Sequence, residues 1–451
     1  MRLIILIAER CRRGAAALML GVLGGCASYA PLPLNKSAAL SDRADELVHE
    51  AQPLPGQLGM DDVALLALRN NPDLVAARAQ RGLAQAQILA AGIAPNPSLN
   101  GSYAFVLGGP GTTAALAAGL SQDLKSLITL SSRRAAAGHA AGQIDGRLLW
   151  QEWQTIAKAR LLAVDLVEGE KQRRLLEQNA AQLQDLLSRN RDALAQGDTT
   201  LTALVPDLSA AAAARKQLDD LQRQQQMRRR DLNVLLGLSP VAPLRLAERM
   251  DLPVVDPAAV QQAVPSLADR RPDLVALQLG YRSQEDKVRG AILAQFPMLS
   301  LGITGGHDNT DVRSLGPQTT IDLPVFDRNQ GNIAVETATR QQLHDEFTAR
   351  LATAKAEVQS LLADMALLQN QLISKQPQLA ELERAVERAQ SAYAAGDLDE
   401  RTYVDVLSAR NAKQQEILGI EQTLLEQQIA VATLIGAGMP PVTIAAQETK
   451  Q

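Results

Sequence analysis

The chain has 451 residues, enough for two to four ordinary domains at ~100–200 residues each, or for one elongated repeat protein. Its 45 basic and 49 acidic residues leave a formal charge of −4, which is no footprint for nucleic acid. Aromatics make up 2% against 46% hydrophobics, much of it alanine; this argues against a thick globular core and for thin helical bundles whose core is a seam.

Residues 1–25 read as an export signal. Arg10, Arg12 and Arg13 precede the apolar stretch Gly14–Leu23, which falls short of the ~20 residues that a helix needs to span a bilayer. Leu23-Gly24-Gly25-Cys26 resembles the bacterial lipoprotein cleavage box. That resemblance implies lipid attachment at Cys26 and, because Ala27 follows, sorting to the outer membrane. An ordinary signal peptide with an incidental cysteine is the alternative. Removing residues 1–25 would change the net charge from −4 to −7. Cys11 and Cys26 are the two cysteines, so no cysteine zinc site or internal disulfide framework is expected. Residues 26–60 are expected to be a poorly ordered, lipidated linker.

The chain repeats itself. Pro72-Asp73-Leu74-Val75-Ala76 recurs as Pro272-Asp273-Leu274-Val275-Ala276, and Pro97 and Leu99 recur as Pro297 and Leu299, an offset of 200. Gly197-Asp198 recurs as Gly396-Asp397, Leu208-Ser209-Ala210 as Leu407-Ser408-Ala409, and Leu235-Leu236-Gly237 as Leu434-Ile435-Gly436, an offset of 199. Residues 61–237 are therefore one repeat and residues 269–436 its copy. The connector 238–268 holds Pro240, Pro243, Pro253, Pro257 and Pro265 and has room for a short helix at most. Residues 437–451 are a tail.

Each repeat reads helix, strand, turn, strand, very long helix, break, helix. Asp61-Asp62 open a helix expected to run to about Ala94, ended by Pro95 and Pro97. A period of two follows: Leu99, Tyr103, Phe105 and Leu107 on one side, Ser98, Asn100, Ser102 and Ala104 on the other. Gly108-Gly109-Pro110-Gly111 is a turn, and the return strand puts Leu116, Ala118 and Leu120 opposite Ser121 and Asp123. In the copy, Leu299, Leu301 and Ile303 alternate with Ser300, Gly302 and Thr304; Thr319, Ile321 and Leu323 alternate with Gln318, Thr320 and Asp322. A half-buried globular sheet would show this pattern, and so would a membrane barrel. The second helix of each repeat is very long: Ser131–Gln196 is ~66 residues, or roughly 100 Å, and Asn329–Ala395 matches it. In the latter, Leu351, Ala354, Val358, Leu361, Met365, Leu368 and Leu372 step by three and four, a coiled-coil seam. The seam resumes at Leu379, with a kink or break expected at Pro377.

Four amphipathic strands cannot close a barrel, since the smallest membrane barrels use ~8, and hydrocarbon does not tolerate an open edge. If the strands span a membrane, several chains must contribute to one barrel; three chains give twelve strands and a cyclic three-fold assembly.

Together with the duplication and the cleavage box, several runs make the chain resemble the TolC-like outer-membrane efflux proteins over nearly all of its mature length. They are Asn71-Pro72-Asp73-Leu74, Arg271-Pro272-Asp273-Leu274, Leu323-Pro324-Val325-Phe326-Asp327-Arg328-Asn329-Gln330-Gly331-Asn332-Ile333-Ala334, and Tyr393-Ala394-Ala395-Gly396 followed by Arg401-Thr402-Tyr403-Val404-Asp405-Val406-Leu407. The resemblance implies a mainly α fold with a small β part. Long antiparallel coiled-coil helices would form a trimeric α-barrel, and four strands per chain would enter a shared 12-stranded transmembrane β-barrel. It also implies a passive exit duct, with no catalytic group and no cofactor, which docks onto a periplasmic adaptor and an inner-membrane pump. The Asp327–Ile333 run looks most like members that serve cation or heavy-metal efflux. By the same resemblance Tyr393, Arg401 and Asp405 line a gate at the helical tip, where a ring of three Asp405 carboxylates would concentrate cations. Ser408 replaces the family's second aspartate, and Pro206 stands at the place of Asp405 in the first repeat. Gly197, Asp198, Gly396 and Asp397 are expected to form the turns that meet the adaptor; ordinary helix caps are the plainer account.

Other constellations are weak. His49, His139, His307 and His344 lack metal-ligand spacing, so no metal site is expected. Trp150 and Trp153 read as packing residues, and Tyr103, Phe105 and Phe296 as a sparse aromatic girdle or plain sheet packing. The competing function is a periplasmic adaptor lipoprotein with a structural coiled coil, which would have one hairpin flanked by compact β domains.

Overall fold

The computed structural model describes residues 29–437 apart from residues 38–39, 50–53, 110, 112 and 253–254. Residues 1–25, Cys26 and nearly all of the 437–451 tail lie outside the described residues. The chain divides into Met1–Ala39 and Leu40–Gln451. In the first unit the Asn35 side chain accepts hydrogen bonds from the Ser37 N–H and hydroxyl.

The second unit contains α1 (Met60–Asn70), α2 (Pro72–Gly92), β1 (Ser98–Ala104), β2 (Ala115–Asp123), α3 (Leu124–Ile128), α4 (Leu130–Gln196) and α5 (Leu201–Leu235). The connector and second repeat supply α6 (Pro257–Ala263), α7 (Leu267–Arg270), α8 (Pro272–Leu293), β3 (Leu299–His307), β4 (Arg313–Ile321), α9 (Gln330–Ala395) and α10 (Glu400–Leu434).

The single helix expected over residues 61–94 is two helices. Pro72 has no N–H and drives the residue before it out of the helical region, so Asn71 sits at ψ 122° and breaks the rod. Asn71 then caps α2, its Oδ1 accepting from the Leu74 N–H at 3.0 Å. Its Nδ2 donates to the Leu235 carbonyl, which ties the start of α2 to the end of α5. Pro377, by contrast, does not break α9. The expected seam Leu351–Leu372 forms one apolar cluster with Ile420 and Leu424 of α10, and this packing offsets the ~3 kcal/mol cost of an interior proline.

The segment before residue 60 is also more ordered than expected in its described parts. The Ser41 N–H donates to the Gly237 carbonyl and the Leu58 N–H to the Arg245 carbonyl, as parallel bridges to the connector. Leu47 and Leu58 are buried in a cluster with α1, the connector and the middle of α4. That apolar burial outweighs the chain entropy that composition alone suggested would win.

The strands form one antiparallel sheet in the order β1-β2-β3-β4. Its register carries the alternation across all four strands: Leu99 faces Leu120, Leu120 faces Ile303, and Leu299 faces Ile321, while Asn100 faces Gly119 and Gly302 faces Gln318. One face is thus apolar and the other polar. Phe105, Leu107 and Leu323 lie just beyond the strand ends. Gly302 and Gly306 lie on the polar face, where a methyl group would run into the Leu120 and Leu116 carbonyl oxygens. The absence of side chains there lets the backbone of the neighbouring strand approach closely on that face. Gly306→Val is expected to abolish the β2–β3 pairing, detectable as protease cleavage within residues 299–321 of a chain that keeps its helical circular dichroism.

The helices form one layer that changes partners at mid-height. Towards the sheet its order is α2-α4-α8-α9; towards the tips it is α5-α4-α10-α9. The two long helices run the whole way, and each shorter pair stacks end to end beside them, giving four columns and two helical hairpins. Among the described residues no helix is long and apolar enough to cross a membrane.

Candidate functional site at the helical tips

Both hairpins turn by the same device. Gly197 and Gly396 adopt φ +83° and +82°, a left-handed conformation that glycine takes without a Cβ penalty. The Asp198 and Asp397 N–H groups donate to the Ala193 and Ala392 carbonyls, and the two glycine N–H groups to Leu194 and Tyr393. This closes the last turn of each long helix. Thr200 and Asp399 then cap the returning helices, the Asp399 carboxylate accepting from the Thr402 N–H at 2.9 Å. The four sequence-predicted tip residues thus form two equivalent caps.

Above the turns the two hairpins are not equivalent. Arg401, at the start of α10, reaches across to Asp207 on α5 as well as along its own helix to Asp405, whose Oδ2 is 3.3 Å from the arginine Nε. Asp207 is 3% exposed and also accepts from the Asn190 Nδ2 at 2.7 Å. Arg189 on α4 pairs with Glu400. Two ion pairs therefore tie the first hairpin to the second, over an apolar patch of Leu186, Leu187, Leu204 and Val404.

Of the expected gate residues, the structure brings Arg401 and Asp405 together, and Tyr393 stands apart from them. Its ring stacks on Tyr403 with centroids 5.3 Å apart and planes 5° from parallel, which closes the α9–α10 hairpin on itself. Asp207 escaped the sequence reading. Its signal was faint: at the 199-residue offset it stands where the copy has Val406, so a carboxylate takes the place of an apolar residue beside Pro206.

A second polar cluster lies at mid-height between α4, α5 and α10. The Gln422 side-chain amide donates to both Asp165 (2.9 Å) and Glu426 (2.8 Å), and Arg228 Nε lies 3.3 Å from Asp165. Glu168, Lys171 and Glu421 adjoin it. Burial, then the neighbouring Asp165 carboxyl, push Glu426 up to about 7. A carboxyl whose folded pKa lies above its unfolded value favours folding below the unfolded pKa of about 4.3, and this contribution is lost as pH rises to about 7. Glu426→Gln is therefore expected to raise the thermal midpoint at pH 8 and to match the parent at pH 4.5, as read by circular dichroism.

Among the described residues no group of His, Cys, Asp and Glu is placed to hold a metal ion. His139 pairs with Asp286 at 2.8 Å, and Trp153 donates to the Thr433 carbonyl, both packing roles. Asp308 caps its own loop by accepting from the Thr310 and Val312 N–H groups.

An open amphipathic sheet at one end of two helical hairpins, which ion pairs join at their tips, is an arrangement similar to that of solved TolC-like outer-membrane channels. The outer membrane efflux protein model matches residues 263–437, the second repeat. The pyoverdine export outer membrane protein OpmQ of Pseudomonas aeruginosa is 25% identical over 458 aligned residues, covering 92% of this chain and 95% of that one. The probable outer membrane lipoprotein SilC of Salmonella typhimurium and the cation efflux system protein CusC of Escherichia coli K12 are each 26% identical over 182 residues. Those matches cover 38% of this chain and span 39% of the length of SilC and of CusC. In fold, the crystal structure of CusC superposes with a TM-score of 0.66 at 20% identity, over 91% of this chain and all of that one. The channel OprN gives 0.68 at 16% identity, over 92% and 99%. The second repeat thus matches the outer membrane efflux protein model, and the chain is similar in sequence and fold to outer-membrane efflux proteins along most of its length.

Proposed function

We propose that three copies of this chain build the outer-membrane exit duct of a tripartite efflux system. One observation carries the reading: a four-stranded sheet with an apolar face, a polar face and its two outer strands each paired on one side only. In hydrocarbon such edges must be closed, and joining β4 of one copy to β1 of the next closes twelve strands around the polar face. The same operation sets four helical columns per chain into a ring of twelve. Cys26 carries the lipid anchor, and Tyr103, Phe105 and Phe296 sit at the membrane interface. The Gly197–Asp198 and Gly396–Asp397 turns meet the adaptor, which couples the duct to an inner-membrane pump.

Tyr393, Arg401 and Asp405, with Asp207, form the tip gate. The Arg401–Asp207 bridge holds the second hairpin against the first, and its rupture lets the tip open. Conduction is passive and needs no cofactor. CusC is named for cation efflux and OpmQ for pyoverdine export. The Asp327–Ile333 run supports the cation or heavy-metal reading.

Full-length protein reconstituted in planar bilayers is expected to conduct and to run as a heat-modifiable trimer. A monomer that conducts nothing would end the reading. A deletion strain tested against divalent metals, dyes and antibiotics is expected to show metal sensitivity alone; sensitivity to dyes or drugs alone would overturn the cargo assignment.

A further inference from the structure

A groove of about 1290 Å³ lies between α4 and α5, beneath residues 244–248 of the connector. It is distant from the tip turns and takes no part in the gate. Its lining carries seven basic and three acidic side chains. Four of the basic ones are already engaged: Lys171 with Glu168, Arg173 and Arg174 with Glu170, and Arg223 with Asp220. Arg229, Arg230 and Arg245 are exposed and, among the described residues, have no ion-pair partner. Between them runs an apolar floor that includes Leu166, Val167 and Met227, the last 56% exposed.

The chemistry narrows the occupant. Guanidinium forks match carboxylates in paired hydrogen bonds, and the floor asks for aliphatic side chains in the same ligand. No aromatic residue lines the groove, so there is no platform on which bases could stack. Val167 lies 37 residues into α4, roughly 55 Å from the sheet end at 1.5 Å per residue, too far for a lipid surface. An amphipathic helix presenting acidic and aliphatic residues on one face satisfies both the walls and the floor. We propose that this groove is a docking surface for an acidic amphipathic helix of a protein partner, separate from the tips.

The test uses the full-length protein in detergent and a fluorescein-labelled helical peptide of about 18 residues, roughly 27 Å long, with Glu and Leu on one face and Gln elsewhere. Saturable, salt-sensitive anisotropy is expected. The triple variant Arg229→Glu/Arg230→Glu/Arg245→Glu is expected to bind at least roughly ten-fold more weakly, as three half-kilocalorie contacts would give. Arg384→Glu, on the exposed face of α9, is expected to leave binding unchanged. Planar-bilayer conductance of the triple variant is expected at the parent's level, so loss of docking and failure of the channel reading give different results. The proposal falls if the parent does not bind saturably or if the triple variant binds as well as the parent. It also falls if polyglutamate competes as strongly as the peptide, since charge alone would then explain binding. Loss of the trimer in the triple variant, with no peptide bound by the parent, would make the groove a contact between copies and overturn it as well.

Discussion

Arg271→Met is expected to destabilise the helical layer by about 3 kcal/mol, the lower end of the cost of breaking a buried ion pair. Arg271 is fully buried; its Nε and Nη2 donate to the two Asp273 oxygens at 2.8 Å each, and its guanidinium lies 4.7 Å from the Trp150 ring. Methionine would fill the space and keep the contact with Trp150 while leaving the Asp273 carboxylate in a low dielectric. Arg350, 2.9 Å from the same carboxylate, would still neutralise part of that charge, which is why the lower end applies. Thermal unfolding followed by circular dichroism reads the loss. Arg271→Met/Asp273→Leu is expected to recover much of it, because two apolar groups of similar volume leave no unpaired charge. The pair also has a pH signature. Burial works to raise the Asp273 pKa, but the bonds from Arg271 and then Arg350 outweigh it and hold the carboxyl below the ordinary range. A depressed folded pKa means that this stabilisation is present above the unfolded value of about 3.9 and is lost as pH falls through the folded one. Arg271→Met should therefore flatten the decline in thermal midpoint between pH 5 and the acid limit.

Arg401→Ala is expected to shift the tip towards its open state by roughly ten-fold, from the loss of about 1.5 kcal/mol in a charge-assisted hydrogen bond. Arg401 is half-exposed, which argues for the low end of that range; Asp207 is buried, which argues against zero. Without the guanidinium, Asp207 keeps only the Asn190 amide, and a buried carboxylate so placed draws water into the joint between the hairpins. Higher open probability in planar bilayers is the measurement. Arg401→Lys should restore part of the closure, since a point charge reaches the carboxylate without the fork. Asp405→Asn is expected to change open probability little and cation selectivity more, because its carboxylate is exposed and its bond to Arg401 runs along a single helix. Equal open probability in Arg401→Ala and the parent would remove the bridge from the gate.

The tips and the sheet were legible for a common reason: local chemistry decides them. A glycine that must turn left-handed, an acid or threonine that caps the next helix and an alternation of period two all act over a few residues, and each appears once in either repeat. The α9 seam was legible because packing on α10 asks for a repeat of three and four. The break at Asn71 was also written in the chain as Asn-Pro, but the helical pattern on both sides hid it. Order in residues 40–49 and 54–59 was not legible, because the burial of Leu47 and Leu58 depends on the middle of α4 and on a connector nearly 200 residues away.

By itself the sequence determined the duplication, the strand faces, the long helices and the turns that reverse them, since each depends on neighbours a few residues apart. Only the tertiary structure decided which side chains meet across the repeats. Arg401 found Asp207, Asp165 came to share an amide with Glu426, and three arginines were left unpaired along one groove. The physical reason is that a coiled-coil repeat specifies that helices pack and leaves open which partner each will meet. That choice depends on the stagger and order of four columns, set by the sheet at one end and the capped turns at the other.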